Sequence, residues 1–212
     1  MPPKPKFTKE EIVAAALELV SERGIEALTA RELGARLGSS ARPIFTLFNS
    51  MEEVQEEVRA AALKRFESYA EKAADYTPIF KQVGVQMILF AMEEPHLYQL
   101  LYMSENTGAT NFDAIVERLG DVANLCVDVI RRDYGLRESD AKKLFEHIWI
   151  YTFGIGALCA TGMCRFTLEE VLQMLGHDFM AMLPYVRSGK IHTSTAVPQK
   201  ANQRSKKWEV WL

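Results

Sequence analysis

Few side chains in this sequence are placed to make or break a bond. Glu93 and His96 stand three apart, the spacing of one half of a di-iron carboxylate site, but Pro95 interrupts them and no second copy follows. A solvated helix end accounts for the pair. Cys159 and Cys164 are five apart and do not share a helix face; with Cys126 they sit in apolar surroundings and read as reduced core residues rather than disulfides. His147, between Glu146 and Trp149, reads as a core or interface histidine. There is no glycine-rich phosphate loop and no spaced zinc pattern. The sequence therefore predicts no catalytic residue, no metal site and no cofactor. The chemistry it does offer is recognition. Thr29, Arg31, Ser39, Ser40, Arg42, Pro43, Phe45 and Thr46 fall within the stretch TARELGARLGSSARPIFTLF at 29–48. Hydroxyls and helix N-termini bind phosphate, and an arginine can pair bidentately with a guanine edge.

Two short helices joined by a tight turn would position these groups. Thr29 is a good N-cap with Glu32 three residues on, as a capping box requires. Gly38 suits the left-handed residue that ends a helix. Ser39 or Ser40 then caps a second helix predicted to run to about Phe48, with Pro43 in its first turn where no N–H is needed. Ile44 and Phe48, four apart, share the face that anchors it. Upstream, Thr8 and Glu11 form another capping box, Ile12, Ala16, Leu19 and Val20 form a helical stripe, and Gly24 stops the helix. The result is a three-helix unit over residues 1–50, its second and third helices arranged as a helix-turn-helix fit for a major groove.

The charge is divided in a way that suits this reading. Net charge is -3 over 212 residues. Residues 1–50 carry seven Lys+Arg against six Asp+Glu, residues 51–189 carry 13 against 21, and residues 190–212 carry five against one. A nucleic-acid surface must be local to the N-terminal region, because the acidic body repels phosphate. No secretion leader opens the sequence and the most apolar run, residues 148–163, is too short for a span, so a cytoplasmic protein with no membrane partner is expected.

Residues 8–54, with the run ALTARELGARLG, the capping serine and the closing Phe48, resemble the DNA-binding domain of tetracycline-repressor (TetR/AcrR) family regulators. The resemblance implies a homodimeric repressor on a double-stranded, palindromic DNA operator, with one recognition helix per subunit. It also implies an all-α C-terminal domain that binds a small-molecule effector. Family members usually carry Tyr where this chain has Phe45, His where it has Leu47, and Lys where it has Met51, so two common phosphate contacts are missing here. The alternative reading is a helical dimeric interaction protein that has lost DNA binding.

From Ser50 onward the pattern stays helical, so the fold class is all-α: the helix-turn-helix domain, then a helical ligand-binding and dimerisation domain over 51–188, then a flexible tail over 189–212. A long helix from Ser50 to about Ala74 joins the two domains. Further helices are expected from Thr77 to Met92, Glu94 to Met103, Phe112 to Tyr134, about Ser139 to Met163, and Thr167 to just before Gly189. Met87, Phe90, Tyr98, Tyr102, Phe112, Trp149 and Phe153 are the candidate lining of an effector pocket, with an apolar or cationic ligand expected from the acidic body. The run WIYTFGIGAL resembles a Trp-x-x-x-His-Gly signature of some family C-terminal domains, with Phe153 in place of the histidine. Gly156, Ala160, Leu168, Leu172, Leu175, Phe179 and Met182, on the last two helices, are the candidate dimer seam, a four-helix arrangement across two subunits.

Overall fold

The computed structural model describes residues 6–75, 79–104, 114–115 and 120–188, and all regular structure among them is helical. Met1 to Pro5, Phe112 and the tail from 189 lie outside the described residues. Helix α1 spans Lys9–Arg23; Thr8 Oγ1 accepts from the Glu11 N–H at 3.2 Å and Glu11 accepts from the Thr8 N–H at 2.8 Å. The predicted stripe of Ile12, Ala16, Leu19 and Val20 is buried, and Gly24 ends the helix at φ 80°. Helix α2 spans Ala30–Arg36, capped by Thr29, whose hydroxyl accepts from the Glu32 N–H at 3.2 Å.

The third element differs from the expected helix over 40–48. Only Ile44–Thr46 are helical, as a single 3₁₀ turn preceded by Pro43, and no serine caps it. Pro43 is the physical reason. Its ring disfavours the α conformation at Arg42, so the helix cannot begin upstream. The turn is closed by short-range bonds instead: Thr46 N–H to the Pro43 carbonyl at 3.3 Å, Thr46 Oγ1 to the same carbonyl at 2.6 Å, and Phe48 N–H to the Ile44 carbonyl at 3.0 Å. The anchoring face holds as expected, with Ile44 and Phe48 both buried.

Helix α3 runs Met51–Glu71 from the Ser50 cap and passes into a 3₁₀ turn at Lys72–Asp75. Helix α4 is Ile79–Glu93, and Pro95 ends it by starting α5, Pro95–Tyr102. Helix α6 is Gly120–Tyr134, closed by Gly135 at φ 63°. Helix α7 is Glu138–Ala160; it starts slightly earlier than expected because Arg137 takes the extended cap position, its Nε bonding Asp140 at 2.7 Å. Helix α8 is Leu168–Arg187, with Thr167 and Glu170 forming the predicted capping box. One hydrophobic cluster runs unbroken from Ile12 and Leu33 through Val54, Val58 and Phe66 to Phe90 and Tyr98, so the helix-turn-helix is seated on α3, α4 and α5. Two smaller clusters join α4 to α6, α7 and α8. Among the described residues no helix is long and apolar enough to cross a membrane.

Candidate nucleic-acid interface and internal cavity

The turn between α2 and the 3₁₀ element is fixed by Gly34. A Cβ at that position would stand 2.9 Å from the Ser40 carbonyl carbon and 3.0 Å from the Ala41 nitrogen. Both are backbone atoms that cannot swing aside, and the Gly34 carbonyl also accepts from the Ser39 N–H at 2.9 Å. Gly34→Val is therefore expected to displace the turn and abolish sequence-specific DNA binding while α1 stays helical. Circular dichroism beside an electrophoretic shift assay checks this, and wild-type DNA affinity in the variant would remove the turn from the interface.

With the turn so held, Arg31, Ser40, Arg42, Phe45 and Thr46 are exposed, and Ser39 and Pro43 are half-buried. Phe45 presents about half of its surface to solvent (48%). Thr29 is exposed with its hydroxyl occupied as a cap. Half of the described cations of this unit are neutralised internally. Arg36 makes a bidentate pair with Glu22, both bonds at 2.7 Å; Arg23 pairs with Glu32 at 2.7 Å; Lys9 pairs with Glu53 at 3.2 Å. The bond from Arg36 holds the Glu22 carboxyl below its ordinary range, and that from Arg23 does the same to Glu32, so both pairs persist at neutral pH. Among the described residues Arg31, Arg42 and Lys6 form no salt bridge, Arg31 acting on neighbouring Glu32 only through space; Lys6 donates to Ser39 Oγ at 3.3 Å. The uncompensated positive charge of the N-terminal unit is thus concentrated on the helix-turn-helix.

This unit is tied to the body through α5. Glu94 Oε2 accepts from Ser21 Oγ at 2.5 Å, and Glu94 Oε1 accepts from Arg65 at 3.0 Å. The other arm of Arg65 reaches Glu18 on α1. Burial opposes the Arg65 charge, but the bonds to Glu18 and Glu94 outweigh it and raise the guanidinium pKa. His96 Nδ1 lies 2.9 Å from the Ser21 carbonyl; a carbonyl only accepts, so this nitrogen carries the proton. Glu93 bonds Tyr69 Oη at 2.7 Å, so Glu93 and His96 turn to different partners and do not converge. Among the described residues no group of three His, Cys, Asp or Glu side chains could hold a metal.

Between α4, α6, α7 and α8 lies a cavity of about 250 Å³. Of the residues expected to line a pocket, Met87 and Trp149 do so. Phe90 and Tyr98 belong instead to the cluster under the helix-turn-helix, with Tyr102 and Phe153 packed against it. Phe153 also stacks on Trp149 with ring centroids 5.6 Å apart. Phe90 and Tyr98 are fully buried by protein, which leaves no room for a ligand beside them. The cavity wall includes Lys81, Gly84, Thr152 and Gly176, which the sequence reading did not single out. A signal for them was present: Gly84 and Gly176 interrupt apolar helices at a cost of about 1 kcal/mol each, and Lys81 is the one charge on α4 before Glu93. Burial pushes the Cys126 thiol on this wall up to about 11, so it is a neutral apolar surface rather than a nucleophile.

The residues expected at a dimer seam pack mostly inside the protomer. Gly156 is buried against Tyr98, Ala160 lies in the first cluster, and Leu175 packs among Val85, Ile88, Ile155 and Val171. Phe179 packs on Phe80 and Tyr134, and Met182 packs against the same cluster. Leu168 is exposed and Leu172 is half-buried. Ile150 and Leu158 on α7 and Leu168, Met180 and Tyr185 on α8 are exposed; the two on α7 lie near one face, whereas the three on α8 point in different directions.

Comparison with known proteins agrees with this layout. Residues 12–58 match the model of bacterial regulatory proteins of the tetR family, and residues 80–178 match the tetracyclin repressor-like C-terminal domain. The HTH-type transcriptional repressor KstR2 of Mycolicibacterium smegmatis is 25% identical over 138 residues, which cover 61% of this chain and 66% of that protein. A TetR-family protein of Vibrio parahaemolyticus superposes with a TM-score of 0.54 at 17% identity, over 82% of this chain and 97% of that one. A TetR-family protein of Mesorhizobium loti MAFF303099 gives 0.51 at 16% identity, over 84% and 95%. These two likenesses speak to the fold, and the two matched regions, which together cover more than half of the chain, speak to descent: the chain belongs to the TetR family of transcriptional regulators.

Proposed function

We propose that this protein is a ligand-responsive transcriptional repressor that binds a palindromic DNA operator as a homodimer and acts in the cytoplasm. Residues 1–50 form the reading head and 51–188 the effector and dimerisation body. The observation that carries the reading is the sorting of charge: Arg23, Arg36 and Lys9 are paired, while Arg31, Arg42 and Lys6 are left to face DNA. Arg42 stands at the entry of the recognition turn and suits a guanine edge; Ser40 and the α2 N-terminus suit phosphate, while the Thr46 hydroxyl is spent on the Pro43 carbonyl. Phe45 lacks a hydroxyl for phosphate but offers an apolar ring to a thymine methyl.

The dimer is formed by α7 and α8, pairing two helices from each subunit, with exposed Ile150 and Leu158 of α7 as apolar contacts. Such a dimer sets the two reading heads about one DNA turn apart, roughly 34–36 Å. An effector in the cavity acts by favouring a different spacing, which requires that it bind one arrangement better than the other. The contacts of α5 with Ser21 and Arg65 are the link through which the body moves α1.

An electrophoretic shift with the DNA upstream of the protein's own gene tests the reading. Retardation is expected, weakening steeply with salt. Arg42→Ala is expected to weaken specific binding by roughly 1–3 kcal/mol and to relax preference at one base pair. Unchanged affinity on every DNA tested would remove Arg42 from the interface. A folded dimer that retards no DNA at low salt would favour an interaction protein without DNA binding.

A further inference from the structure

Resting on the reading of the cavity as an effector site, we infer that its ligand is a small aryl carboxylate, its acid group on Lys81 and its ring in the apolar interior. Among the described residues the wall is apolar apart from a few groups, its single charged side chain is Lys81, and no carboxylate lines it. This reverses the expectation from the acidic body, because the local wall and not the net charge decides which ion is held. Lys81 is half-buried and has no carboxylate partner among the described residues. A Cβ at Gly176 would stand 3.6 Å from its Nζ, so the ammonium lies across the glycine on α8, where a larger residue would crowd it.

A second group points the same way. Thr152 is buried at 3% exposure, lines the cavity, and its Oγ1 has no hydrogen-bond partner. A buried hydroxyl without a partner is costly, and a polar atom of a bound molecule would satisfy it. Gly84 keeps the space in front of it clear: a Cβ there would stand 3.4 Å from Thr152 Oγ1 and 3.5 Å from Leu175. Phe80, Phe145, Trp149 and Phe179 supply flat apolar surface for a ring. Size sets the rest. A cavity of about 150 Å³ admits benzene, so one of 250 Å³ holds one ring with a short acidic side chain.

Calorimetric titration of the full chain with 3-phenylpropanoate, its neutral amide 3-phenylpropanamide, and 2-phenylethylammonium tests the inference. The acid is expected to bind roughly tenfold tighter than the amide. Lys81→Met should erase that preference while leaving the amide's affinity unchanged, which also shows that the variant is folded. Thr152→Val, close in shape, should weaken the acid and the amide alike by a few-fold. Equal binding of acid and amide, tighter binding of the ammonium, unchanged acid affinity in Lys81→Met, or no binding of any of the three would each overturn the assignment. A shift assay with the acid present separates this from the regulatory reading. Acid that binds through Lys81 yet leaves DNA affinity unchanged supports the site and removes its effector role. An ammonium that binds and releases DNA keeps the effector role and removes the anion.

Discussion

Leu175→Glu is expected to unfold the body of the protein rather than release two folded subunits. Leu175 is 4% exposed and packs among Val85, Ile88, Ile155 and Val171, inside one protomer. Losing a buried leucine costs about 2–5 kcal/mol by itself. Placing a carboxylate among these aliphatic side chains adds a desolvation cost of several kcal/mol unless the group takes up a proton. The sum is comparable to the whole stability of a typical domain, about 5–15 kcal/mol. Circular dichroism melting should show the cooperative transition lost or lowered by more than about 10 °C, at roughly 2–4 °C per kcal/mol for a chain of this size. Met180→Glu is the contrast. Met180 is 66% exposed on the same helix, at the rim of the cavity, so the protomer should keep its fold and melt close to the wild-type temperature. A Leu175→Glu protein with wild-type melting would mean that α8 does not pack on α4 and α7 through this face.

The two faces of α8 show where sequence reading stops. Its capping box and its length were legible, because Thr167 and Glu170 act within one turn. Whether its apolar stripe meets a partner or the protomer's own core was not, since Leu168, Leu172, Leu175, Phe179 and Met182 suit either role and only tertiary packing shows that all but Leu168 turn inward. The same holds for the aromatics: Phe90 and Tyr98 are residue types that suit a pocket equally well, yet they fill a core, and the cavity arises where Gly84 and Gly176 leave side chains out. An absence of atoms has no periodicity to detect. The helix-turn-helix was legible as a motif because its caps, Gly24, Gly38 and the Ile44–Phe48 pair are local signals. The near balance of charge in residues 1–50 hid its most useful property, since a count cannot say which arginines are paired.

Gly156→Ala should lower the stability of the protein and alter its DNA affinity, although residue 156 lies on α7, outside the reading head. A Cβ there would stand 2.5 Å from Tyr98 Oη and 2.7 Å from Cζ. Tyr98 has no easy retreat: it is fully buried, with Tyr102 at 4.9 Å and Phe153 at 6.4 Å between ring centroids. Its hydroxyl donates to the Phe153 carbonyl at 3.2 Å, a bond that any displacement breaks. Overpacking of this kind costs about 1–3 kcal/mol, against roughly 1 kcal/mol gained by replacing a helical glycine with alanine. Sterics win because both short contacts are to one ring that cannot swing out. The ring can yield only by carrying α5 with it, and α5 holds Glu94 and His96 against Ser21 and Arg65. The displacement therefore reaches α1, and the affinity for operator DNA should change along with Tm. Gly154 supplies the control, two residues away on the opposite face, where nothing lies within 4 Å of an added Cβ. Gly154→Ala should melt at or above the wild-type temperature and bind DNA normally. If Gly156→Ala melts as high as Gly154→Ala, α5 is not wedged between α7 and α1 as described. If it melts lower but binds DNA unchanged, α5 supports the body without steering the reading head.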